Sequence, residues 1–329
     1  MNRLGRAAAV ALAALACALT TPVIAQGPRK HRPATETAKA TPPPATDNGN
    51  VDPAYGAYQR GYYLTALAEA TKRAHQNDPA AMTLLGQIYA NGLGVGRDDN
   101  TAAQWYKLAA SHGDRDAMFA LAMFSFEGRA GSRDEEQGAR MLREAANLGH
   151  PAASYDLGLL YLQGKQFPQD FKRAAELFRA AADAGNPEAQ YALATMYKEG
   201  RGVPKDLKEA THLMGEASIA GNLDAMVEFA IAQFNGEGAP KNEAAAAQLF
   251  LKAARHGSPI AQDRLARILM AGRGLPADPT ESIKWHIVAR TEGAGDPDLD
   301  VFASKQSKQV RDDAEQRAKK WMSTLPKRS

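Results

Sequence analysis

Residues 187–222 read PEAQYALATMYKEGRGVPKDLKEATHLMGEASIAGN. Two apolar helical patterns flank a Gly-Arg-Gly-Val-Pro loop, and the stretch is one of six copies in tandem. Glycine recurs at Gly92, Gly128, Gly164, Gly200, Gly236 and Gly272, and again at Gly113, Gly149, Gly185, Gly221, Gly257 and Gly293. Alanine recurs at Ala81, Ala117, Ala153, Ala189, Ala225 and Ala261, and again at Ala109, Ala145, Ala181, Ala217, Ala253 and Ala289. Every step in these four columns is 36 residues, so the copies run from Pro79 to Ala294 without insertion. A period of this length marks a repeat architecture rather than one globular core.

The period within each copy is helical. In residues 151–186, Ala153, Leu157, Leu160 and Tyr161 share one face of a first helix, and Ala174, Leu177, Phe178 and Ala181 one face of a second. Asp78, Asp114, Asn186, Asn222 and Ser258 stand where first helices need N-caps, three of them followed by proline. Asp98, Asp134, Asp170, Asp206, Asn242 and Asp278 are expected to cap the second helices, with Glu209 and Glu281 completing capping boxes. The Gly92 column ends the first helices, where a left-handed residue is needed, and Pro168, Pro204, Pro240 and Pro276 stop continuation. The invariant alanines let helices approach closely. A lone hairpin of this size cannot bury both its faces, whereas stacked neighbours can.

The run Ala-x-x-x-Leu-(Gly/Ala)…Gly-x-Gly-(Val/Leu)-Pro-x-Asp…Ala-Ala-x-x-Gly resembles the Sel-one-like repeat, SLR, a relative of the tetratricopeptide repeat. The match weakens in the fifth copy, where Phe229 and Gln233 replace the usual Leu and Tyr. The resemblance implies an all-α, right-handed α/α superhelical solenoid with a scaffold role. It also implies a concave groove lined by first helices. By register, that groove takes Met123, Phe126, Leu159, Leu162, Ile231 and Phe234, with polar ends at Thr83, Gln87, Asp263 and Arg267. Phe119, Tyr155 and Tyr191 occupy the register that the family uses for packing.

Outside the copies, residues 1–25 read as a signal peptide. Arg3 and Arg6 precede the apolar run Ala7–Leu19, and Val23-Ile24-Ala25 forms a cleavage site. The run is too short and Ala-rich to be a good membrane span. A lipoprotein reading on Cys17 fits worse, because the usual upstream leucine is missing. Removing Arg3 and Arg6 takes the formal charge from +3 to +1. Residues 26–53, with Pro42-Pro43-Pro44 and no apolar periodicity, read as a disordered linker. Residues 54–78 read as a degenerate hairpin and 295–329 as capping helices, with Val310, Ala314, Ala318 and Trp321 in a narrow apolar stripe.

Composition excludes several chemistries. Cys17 is the sole cysteine and falls in the export segment, so disulfides, thiolate zinc and a cysteine nucleophile are not expected. The small charge argues against nucleic acid. No His pair has metalloprotease spacing, and no serine sits in Gly-x-Ser-x-Gly. The loop Gly92-Leu93-Gly94-Val95-Gly96 imitates a phosphate loop, but no strand precedes it and no Gly-Lys-Ser/Thr follows. No catalytic residue, metal or cofactor is expected. The expected function is a non-catalytic scaffold or regulator in the periplasm or secreted. Its partner is an unidentified protein, for which the resemblance offers the outer domain of a sensor kinase. An enzyme or binder acting on cell-wall material is the alternative.

Overall fold

The computed structural model describes residues 52–324, so the expected signal peptide and nearly all of the linker lie outside the described residues. Sixteen α-helices and no strand occur among them. Helices α1 (Pro53–Gln59) and α2 (Tyr63–Ala74) precede the repeats. The six copies then supply α3 (Pro79–Asn91) and α4 (Asp99–Ser111), α5 (Arg115–Glu127) and α6 (Glu135–Asn147), and α7 (Pro151–Gln163) and α8 (Phe171–Asp183). They continue with α9 (Pro187–Glu199) and α10 (Leu207–Ile219), α11 (Leu223–Asn235) and α12 (Glu243–Arg255), and α13 (Pro259–Ala271) and α14 (Pro279–Thr291). Helices α15 (Pro297–Ser304) and α16 (Lys308–Thr324) close the chain. The fold is an all-α solenoid of six 36-residue helix-turn-helix repeats.

The described residues divide into two compact units, with the boundary between Gln169 and Asp170. In the first, each helix from α1 to α6 packs on the next. Its core includes Met82, Leu85, Ile88, Tyr106 and Phe124. In the second, each helix from α8 to α14 packs on the next, and α16 folds back onto α14. There Ala314 and Ala318 are fully buried, and Trp321 meets Trp285 edge to face at 5.2 Å.

The repeat columns explain this regularity. Both alanine columns are at most 1% exposed in all six copies, so a larger side chain there would have to be placed inside the packed interior. The Gly92 column takes φ between 65° and 79°, the left-handed C-cap that L side chains rarely adopt. Every expected N-cap accepts a hydrogen bond from its helix's first turn, as in Asn222 Oδ1 from the Ala225 amide at 2.9 Å. The first helix of the third copy, for which no cap was expected, uses His150, whose Nδ1 accepts from the Ala153 amide at 3.1 Å.

Two expectations are corrected. The Glu281 carboxylate does not complete a capping box: Oε2 meets Lys284 Nζ at 3.0 Å and Oε1 accepts from Arg317 at 2.9 Å, which ties α14 to α16. Glu209 faces Arg179 at 3.9 Å. The departure at Phe229 is accommodated by a glycine on the preceding helix, since a Cβ at Gly215 would stand 3.3 Å from the Phe229 ring.

A second glycine position holds neighbouring hairpins together. A Cβ on Gly274 (φ 78°) would stand 2.2 Å from the carbonyl oxygen of Glu243, the first residue of α12. The equivalent residue of the second copy is Ala130, held at φ 57°. Gly274→Ala is expected to destabilise the protein by roughly 2–4 kcal/mol, from left-handed strain plus the clash. Ala130→Gly is expected to stabilise it by roughly 0.5 kcal/mol, the strain relief exceeding the added unfolded-state entropy. Equilibrium urea unfolding of both variants checks the opposite signs.

Candidate functional site

Within each unit a cleft opens between the first helices of consecutive repeats. In the first unit it lies between α3 and α5, with a cavity of about 440 Å³. Gln87, Ala90, Asn91, Met123 and Glu127 line it, over a floor of Tyr106 and Phe124. In the second unit a cleft of about 330 Å³ lies between α11 and α13. Ile231, Phe234, Asn235, Arg267 and Ala271 line it, over Phe250 and Ile268. These residues are the same repeat positions displaced by four whole repeats, Gln87 matching Ile231 and Met123 matching Arg267.

A third instance shows what opens or closes the space. Between α9 and α11 the same register encloses only about 30 Å³. There Lys198 Nζ pairs with Glu228 Oε2 at 2.6 Å across the opening. The matching residues are Ala90 and Ala120 at the first cleft and Phe234 and Arg264 at the last, so neither has this bridging pair.

Both open clefts are walled at one end by an arginine from the loop after the first helix. Arg129 pairs with Asp99 at 2.5 Å, donates to the Ala90 carbonyl at 2.9 Å and lies 4.1 Å over Phe124. Arg273 pairs with Glu243 at 2.5 Å and lies 4.5 Å over the Phe234 ring. The Arg129 hydrogen bond, with Arg97 beside it, holds the Asp99 carboxyl down to about 2. Arg273 and Lys241 hold Glu243 down to about 2 in the same way.

The expected groove residues divide. Met123, Ile231 and Phe234 line clefts. Leu159 is 2% exposed and belongs to the interior. The half-buried Phe126 ring packs on α6, where a Cβ on Gly138 would stand 2.9 Å from it. Leu162 is half-buried. The expected polar ends also divide, because Thr83 is buried and donates to Asp114 at 3.0 Å, whereas Gln87 and Arg267 line clefts. His150, unexpected at the sequence level, stacks on Phe119 at 4.5 Å at the edge of the first cleft. Burial lowers its pKa, which suits an imidazole nitrogen that accepts a hydrogen bond.

Among the described residues no three His, Cys, Asp or Glu side chains converge as a metal site would need. No described helix is long and apolar enough to cross a membrane. The clefts offer apolar floors and charged walls, the furniture of recognition.

A Sel1 repeat family model matches residues 79–114, 115–150, 151–186, 187–222, 223–258 and 259–293. The chain belongs to the Sel1 repeat family. Among solved structures it is similar to a Sel1 repeat protein from Oxalobacter formigenes, at 28% identity and TM-score 0.61, covering 73% of this chain and 97% of that one. It is also similar to c5321, a protective antigen of uropathogenic Escherichia coli strains displaying an SLR fold. That match has 25% identity and TM-score 0.54, covering 81% of this chain and 68% of that one. No curated protein matches the chain. Sel1 repeat proteins generally mediate protein–protein interaction, and their solenoid is typically a non-enzymatic scaffold.

Burial pushes Asp156 on α7 from 3.8 up to about 7. Between these values the unfolded chain ionises and the folded chain keeps its proton, so stability falls as pH rises through this window and stays reduced above it. Asp156→Asn is therefore expected to raise the melting temperature at pH 8, with the advantage shrinking towards pH 4. Thermal unfolding of both proteins across pH 4–8 checks the sign.

Proposed function

We propose that this Sel1 repeat protein is a non-catalytic scaffold or regulator of the cell envelope that docks a partner protein through the first-helix clefts. The supporting observation is the contrast between columns. The two alanine columns and the two glycine columns are the same in every copy, whereas the column that lines the clefts at Gln87, Met123, Ile231 and Arg267 changes from copy to copy, with buried Leu159 and half-buried Thr195 at the same register. A surface that changes side chain at every step of an otherwise uniform lattice is suited to recognising one particular partner. The signal peptide and linker read from residues 1–53 support an exported, tethered protein, periplasmic or secreted. The outer domain of a sensor kinase is a partner of the kind such a protein would hold.

The test is site-specific photo-crosslinking in intact cells, with the crosslinker at Met123, at Met270 and, as a control, at exposed Glu144 on α6. Discrete protein adducts are expected at the two cleft positions and none at Glu144. The mature protein recovered from the periplasmic or secreted fraction is expected to begin at Gln26. Absence of adducts at both clefts, or equal yield at Glu144, contradicts the docking reading. Retention in the cytoplasm with Met1 intact contradicts the envelope reading.

A further inference from the structure

The two open clefts share a register but not a charge. At the first, Asp116 and Glu127 are among the lining residues. At the second, the matching residues are Ile260 and Ala271, and no carboxylate lines the space. Ala120 and Met123 of the first cleft are replaced there by Arg264 and Arg267. Arg129 is matched by Arg273, so the second cleft carries three guanidinium groups around one apolar floor.

The three arginines are placed differently. Arg273 is anchored by Glu243 and lies over Phe234. Arg267 is anchored by Asp296, 4% exposed, at 2.5 Å, with Asp298 at 3.6 Å and Asp263 at 3.8 Å. These pairs hold both side chains in place at the cleft wall. Arg264 is exposed and, among the described residues, has no carboxylate within ion-pair distance. It is the guanidinium most available to an incoming anion, and a bidentate carboxylate is its best-matched partner. Phe250 and Ile268 beneath are nearly fully buried, and Ile231, Phe234 and Met270 are half-buried, leaving an apolar opening in the middle. The volume of about 330 Å³ lies at the small end of ligand pockets, about 300–1,000 Å³, and suits one or two apolar side chains.

We propose that the cleft between α11 and α13 binds an acidic peptide segment, seating one large apolar side chain on Phe234, Phe250 and Ile268 while a flanking carboxylate meets Arg264. The proposal rests on the docking function above and names the chemical class of its partner. A nucleic acid is disfavoured: two of the three arginines already hold carboxylates, and backbone-driven nucleic-acid binding needs an extended basic track.

The test uses the exported full chain and three fluorescent probes. One is an eight-residue peptide with Leu-Phe between three acidic residues on each side. The second is the same peptide with lysine for every acid, and the third is an oligothymidylate. Fluorescence anisotropy is expected to show saturable binding of the acidic peptide alone. Arg264→Glu, at an exposed position, is expected to weaken it about tenfold with an unchanged circular dichroism spectrum. Lys107→Glu, at an exposed position on α4 outside either cleft, is expected to leave the affinity unchanged. Equal binding of the lysine peptide, tighter binding of the oligothymidylate, or an unaltered affinity in Arg264→Glu overturns the proposal. If adducts form at Met270 in cells while the acidic peptide fails to bind, the chemical class is wrong and the docking function stands. If adducts and peptide binding are both absent, both fail.

Discussion

Close approach of helices at two alanine columns is the constraint on which everything else depends. Twelve alanines, two per copy, are all but inaccessible to solvent. At such positions a larger side chain would have to be placed inside the packed interior, and packing at interior density makes each added carbon costly. The approach sets how one helix lies on the next, and the left-handed glycines set how each hairpin turns. With both repeated without insertion from Pro79 to Ala294, the fold follows by addition: each hairpin covers the apolar face that its neighbour leaves open.

The same lattice separates stability from recognition. The alanines at the helix contacts and the turn glycines are repeated, while the residues facing the space between successive first helices vary. The size of that space differs between junctions. Where Lys198 and Glu228 pair across it about 30 Å³ is enclosed, and where Phe234 and Arg264 take their places about 330 Å³ is. Small changes at a few columns therefore alter docking chemistry without disturbing the frame. The two clefts show this in charge, one including Asp116 and Glu127, the other ringed by arginines.

Helices, caps and turns were legible in the sequence because each depends on residues within a few positions of one another. Asn222, Asp206 and Gly236 act locally, and their roles follow from their types. His150 escaped as a cap because imidazole is an unusual choice, yet its register, one residue before Pro151, was the available signal. The cleft residues were half legible. Met123, Ile231 and Phe234 carry the right register, but a first helix buries more than one face, and Leu159 falls in the interior. Phe126 is drawn onto α6 by Gly138, a partner that no spacing rule nominates. Contacts such as Arg273 with Glu243 and Lys198 with Glu228 join residues about one repeat apart. They depend on how one hairpin leans on the next, which a helical period does not encode.

The most direct measurement is equilibrium unfolding of paired substitutions of similar size in the two kinds of column. Ala217→Leu and Ala253→Leu enlarge the close contacts, and Met123→Gln and Thr195→Gln alter the cleft column. If the alanine contacts govern the fold, each leucine destabilises by roughly 1–3 kcal/mol or more, and each glutamine changes stability by about 0.5 kcal/mol or less. Equal tolerance at both, or greater loss at the cleft column, would contradict that claim.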